Sequence, residues 1–127
     1  FHKLLHVFGF AFVSYHSKKW QNEKGECSAG IEVKYDKLMA RTNHLYIETA
    51  EKSNPRQEQF ISSGIYREDN SWLWVIGDYS RFYILAKNLL VRLDKSEKFK
   101  PVQTETSKGF LLPEKDAKYL AAKRWEI

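Results

Sequence analysis

The sequence carries one cysteine, Cys27, in 127 residues. A lone thiol cannot close an internal disulfide, which excludes a disulfide scaffold and a multi-cysteine zinc finger and points to a reducing, cytoplasmic setting. No stretch approaches the roughly 18 consecutive apolar residues of a membrane-spanning helix. The segment from Phe1 to Val13 contains His2, Lys3 and His6 and lacks a small-residue cleavage site, so it reads as part of the fold. Repeats, proline-rich or glycine/serine-rich linkers and single-charge blocks are all missing. There is no glycine-rich phosphate loop. Ser62 and Ser63 before Gly64 lack the strand-elbow-helix surroundings of a hydrolase nucleophile, and His2, His6, His16 and His44 have no zinc-ligand spacing. The chain opens at Phe1 without a methionine, which reads as a fragment or a processed product and leaves an upstream functional residue open.

What is present is enough for one core. Hydrophobic residues make up 43% and aromatics 15%, so residues 1–127 are expected to form a single domain. Phe8, Phe10 and Phe12 alternate, as do Ile31, Val33 and Tyr35, which is the period of half-buried strands. Leu45 to Glu51, Trp72 to Ile76 and Phe82 to Leu85 are further strands by their branched and aromatic content. Short helices are expected at Phe1 to Val7 and Lys87 to Leu93, and a surface helix from Glu114 through Arg124 behind Pro113. The class is mixed α/β. Among the aromatics, Trp72, Trp74, Tyr79, Phe82 and Tyr83 are expected mainly in the core, although Tyr79, Phe82 and Tyr83 near Arg81 also suit stacking on unpaired bases.

Net charge is +5, which suits a polyanionic partner without requiring one. The informative segment is Gly30 to Asp36, where strand alternation places Glu32, Lys34 and Asp36 on one face. Taken alone, that is an ordinary solvated strand face. A seven-residue connection, Lys37 to Asn43, then leads to the next strand. An antiparallel pairing centred on Ala40 would set Asp36 against His44, Lys34 against Tyr46 and Glu32 against Glu48. Two carboxylates side by side repel, and a hard divalent cation offsets this best.

Glu32-Val33-Lys34 in an apolar strand, then Asp36, then Arg41 to Glu48, resembles the phage and mobile-element members of the PD-(D/E)XK, or restriction-endonuclease-like, nuclease superfamily. Ser63-Gly64-Ile65, Asp69-Asn70-Ser71-Trp72 and Gly109 to Pro113 extend the resemblance from Gly30 to about Ala117, in structural roles. The resemblance implies a central mixed sheet flanked by helices and a magnesium-dependent (or manganese-dependent) endonuclease acting on DNA, or RNA. It implies that Glu32 is a metal ligand and Lys34 the catalytic lysine. The superfamily's upstream Asp has no clear counterpart, since only Glu23 and Glu26 precede Glu32 in a loop-like segment. Glu48 is the preferred second acid, with Glu26 next and Asp36 as a water-mediated ligand. Lys37, Arg41 and Lys52, with Arg56 and Arg67, are candidates for holding the nucleic acid. Where relatives show Thr-Gly-Asn, this chain has Thr42-Asn43-His44, so Asn43 must make the turn; asparagine tolerates the left-handed conformation best after glycine. Monomer and homodimer both stay open. The rival expectation is a non-catalytic nucleic-acid-binding or partner-binding module, a degenerate nuclease within a larger assembly.

Overall fold

The computed structural model describes residues 30–126, which form two four-stranded sheets with three α-helices. The elements expected at Phe1 to Val7 and Phe8 to Phe12, together with Cys27, Glu23 and Glu26, lie outside the described residues. In chain order the elements are β1 (Ile31–Tyr35), α1 (Met39–Thr42), β2 (His44–Glu51) and β3 (Ile61–Ser62). A 3-10 turn at Gly64–Tyr66 follows, then β4 (Leu73–Gly77), β5 (Arg81–Ala86) and α2 (Lys87–Ser96). The chain closes with β6 (Pro101–Gln103), β7 (Ser107–Pro113), α3 (Glu114–Leu120) and β8 (Lys123–Glu126).

β4, Leu-Trp-Val-Ile-Gly, is buried at every position. A strand apolar on both faces belongs inside a sheet, and β4 sits between β1, to which it runs parallel, and β5, to which it runs antiparallel. This corrects the expected hairpin of β1 with β2. β1 pairs through Glu32 with Trp74 and through Lys34 with Ile76, whereas β2 joins the second sheet, in the order β3-β2-β7-β6. The opposition of Glu32 to Glu48 through backbone pairing therefore does not exist. The connection α1 instead carries the chain from one sheet to the other. It ends at Asn43, whose φ of 57° and ψ of 32° are left-handed, and this matches the glycine-free turn expected there.

The core lies between the sheets and the helices. Leu45, Ile47, Phe110 and Leu112 of the second sheet meet Trp74, Ile76, Tyr83 and Leu85 of the first, with Met39, Leu90 and Ala117 from the three helices. Each large aliphatic side chain so buried stabilises the fold by about 1.5–3 kcal/mol. Trp74, Phe82 and Tyr83 are core residues as expected, but Trp72 and Tyr79 are exposed. The buried Tyr83 hydroxyl donates to Glu114 Oε1 at 3.1 Å and accepts from Arg124 Nε at 3.3 Å. Arg81 grips the same carboxylate with two N–H groups. Burial pushes the Tyr83 hydroxyl pKa above its ordinary value.

α3 stops at Leu120, shorter than the helix expected through Arg124. The residues beyond it instead pair with β5, Lys123 opposite Ile84 and Arg124 opposite Tyr83. Continuing the helix would have left the buried strand β5 with an open edge, and unpaired backbone groups there are costly.

Candidate functional site

A groove of about 530 Å³ opens between the β1–β4 side of the first sheet and the outer face of β2. Its wall includes Lys34, Asp36 and Lys37 from β1 and the following turn, and His44, Tyr46 and Glu48 from alternate positions of β2. Alternation explains the β2 set: Leu45 and Ile47 point into the core, so the even-numbered residues of β2 face the groove. Lys34 and Glu48 thus share a cavity although their strands are in different sheets.

Glu32 is buried, at 4% exposure, and its Oε1 lies 3.3 Å from Lys34 Nζ. The ammonium also sits 5.5 Å from the ring centroid of Trp74, the register partner of Glu32 on β4. Glu32 Oε2 is buried with no hydrogen-bond partner among the described residues, and so is Trp74 Nε1. A buried carboxylate oxygen without a donor is costly and marks a position where a ligand, water or cation improves the structure.

Glu48 is differently placed. Its Oε1 accepts from Ser107 Oγ at 2.9 Å and its Oε2 from Ser63 Oγ at 3.1 Å. Two glycines bring those serines in. A Cβ on Gly64, which has φ of +57°, would meet Glu48 O at 2.1 Å, and one on Gly109 would meet Ile47 O at 2.2 Å. The hydroxyls of Tyr46 and Ser107 are 2.5 Å apart, extending the chain of polar contacts. Burial raises the Tyr46 pKa, the Ser107 hydrogen bond works against this, and the charge of Glu48 adds to the rise.

Asp36 caps the turn. Its Oδ1 accepts from Leu38 N at 3.1 Å and its Oδ2 from Tyr46 N at 2.9 Å, tying the end of β1 to β2. His44 Nδ1 is 2.6 Å from Thr42 O and donates to it. Lys37 is exposed on the turn and lines the groove, and Arg41 is exposed on α1. Lys52 lies elsewhere: its Nζ is 4.6 Å from the Phe60 ring centroid, with Lys108 Nζ at 4.4 Å from the same ring. Arg56 is in the exposed loop before β3, and Arg67 offers its carbonyl to Lys87.

Among the described residues, no three His, Cys, Asp or Glu side chains gather closely enough to hold a metal ion. Magnesium needs only one or two carboxylates when substrate oxygens and water complete its shell. The unpaired Glu32 Oε2 suits that demand, whereas both Glu48 oxygens already accept hydrogen bonds. Ser63 and Ser107 were not singled out as partners of the acid. The signal available for them was a glycine next to Ser63 and another two residues after Ser107, which permits close approach but does not say to what. Among the described residues, no helix is long and apolar enough to cross a membrane. Comparisons with protein-family models, curated proteins and solved structures return no match for this chain.

Proposed function

We propose that the groove is the site of a metal-dependent nuclease of the PD-(D/E)XK type, with DNA or RNA as its substrate. The observation that carries this reading is the Glu32–Lys34 pair: a buried carboxylate with one oxygen on an ammonium and the other unpartnered, on the strand beside the groove. Glu32 is the acid suited to hold magnesium or manganese. Glu48, on the β2 wall of the groove, is the second acid, once it exchanges a serine hydroxyl for the ion. Such an ion, when bound, supplies a Lewis acid for a phosphoryl oxygen.

The chain's own residues would do the rest. The Lys34 ammonium borders the groove with its side chain 37% exposed, so it can offset negative charge growing on a phosphate. Glu32 holds that ammonium in place. Ser63 and Ser107 fix the rotamer of Glu48. Lys37 and Arg41 are suited to the backbone phosphates on either side, which sets position without reading bases.

Glu32→Gln and Lys34→Ala are expected each to lower manganese-dependent cleavage of a mixed DNA substrate by roughly 100-fold or more while preserving the circular dichroism spectrum. Cleavage by both variants at the parent's rate would reject the proposal. A second reading, binding without cleavage, is favoured by the engagement of Asp36 and Glu48 with internal donors. Calorimetric titration with manganese separates the two, since only the nuclease should release heat that disappears in Glu32→Gln.

A further inference from the structure

We infer that Tyr35 and Tyr79, at the mouth of the groove, form a stacking platform for an unpaired base, so that the ligand there is single-stranded or locally opened nucleic acid. This rests on the groove being a nucleic-acid site and adds which form of nucleic acid it takes.

The two rings lie 5.0 Å apart between centroids at an interplanar angle of 37°. They are also among the most exposed large hydrophobic residues described, Tyr35 at 52% and Tyr79 at 70%. Tyr35 lines the groove, and the contact with Tyr79 extends that aromatic surface outwards. Both rings stand on stiff backbone. Tyr79 occupies the β4–β5 turn, where Asp78 Oδ1 accepts from Ser80 N at 2.8 Å, Ser80 Oγ at 2.8 Å and Arg81 N at 3.0 Å. Asp36 N donates to Gly77 O at 2.8 Å and fastens the end of β1 to that turn. A rigid aromatic surface loses little entropy when a flat partner settles on it.

The neighbours match the rest of a nucleotide. Lys34 and Lys37 line the same groove as Tyr35, giving it two cations for a phosphate. Thr42, His44 and Tyr46 add hydrogen-bonding groups further in. A volume of about 530 Å³ falls in the range of small-ligand sites, which run from roughly 300 to 1,000 Å³. Aromatic side chains take unpaired bases face to face, whereas an intact duplex keeps those faces stacked on one another.

The test measures fluorescence anisotropy of a labelled oligothymidylate and of its duplex with oligoadenylate, in EDTA so that nothing is cut. The parent should prefer the single strand. Tyr79→Ala should weaken single-strand binding about tenfold and leave duplex binding unchanged, and Tyr79→Phe should restore it. Equal single-strand affinity of the parent and Tyr79→Ala, preference for the duplex, or no binding of either form overturns the inference. A parallel manganese cleavage assay keeps the two readings apart. A parent that binds through Tyr79 and never cuts loses the nuclease reading alone, while cutting of single strands undiminished by Tyr79→Ala loses the platform alone.

Discussion

The Lys87–Asp69 and Lys34–Glu32 pairs are built from the same chemical groups and completed to different degrees. Lys87 Nζ donates to Arg67 O at 2.8 Å, to Asp69 Oδ1 at 3.2 Å and to Ser71 Oγ at 3.2 Å, so all three of its protons are engaged. Asp69 Oδ1 also accepts from Ser71 N and Ser71 Oγ. Lys34 has one carboxylate oxygen and the face of an indole, and Glu32 keeps an oxygen without a donor. A buried pair whose valences are filled ties loop to helix; one left unfilled keeps a buried acceptor without a donor. Burial by itself did not distinguish them, because both carboxylates are almost fully covered.

The strongest way to break this contrast is to remove one lysine at a time and follow thermal unfolding. Lys87→Ala leaves the buried Asp69 charge without its cation and removes a donor from Arg67 O and Ser71 Oγ, and should cost roughly 3 kcal/mol. A loss no greater than that caused by Lys34→Ala would erase the distinction. Acid provides a milder probe. Burial raises the Asp69 pKa, but the Ser71 hydrogen bonds and the Lys87 charge outweigh it and hold the carboxyl below its ordinary value of 3.8. A folded pKa below the unfolded one means that the contribution is complete above about pH 4 and fades as pH falls through the folded value. The stability difference between the parent and Asp69→Asn should therefore shrink on acidification below pH ~4, and a difference constant to the lowest pH would contradict it. The smallest effect is expected at the other pair. Glu32→Gln removes a buried, incompletely satisfied charge at nearly constant shape, so relief of its desolvation offsets the lost ion pair and the unfolding free energy should move by less than about 1 kcal/mol in either direction. A large loss in urea titration would make Glu32 a structural residue.

Local patterns were readable and long-range pairing was not. Alternation identified β1, and branched and aromatic content identified β2, β4 and β5, because those residues suit a pleated surface. Partnership is a different matter. The short connection from Lys37 to Asn43 suggested a hairpin, yet β4, apolar on both faces, needed two neighbours and took β1 from about forty residues away in the chain. The uninterrupted burial of Leu73 to Gly77 was the available clue. β8 was missed because Lys123 to Glu126 looks polar in isolation, and only the open edge of β5 makes it a strand. At the site, the alternation of Glu32 with Lys34 and of Tyr46 with Glu48 was legible. What holds Glu48 was not, since Ser63 and Ser107 are 15 and 59 residues away from it in the chain.

The close approach at Gly64 and Gly109 has a kinetic corollary. With both neighbouring segments pressed against the backbone of β2 and a serine on each carboxylate oxygen of Glu48, that side of the cleft is rigid before any visitor arrives. On the proposed reading an ion captured there must displace a serine hydroxyl from Glu48, so its arrival is set by that exchange as well as by collision and orientation.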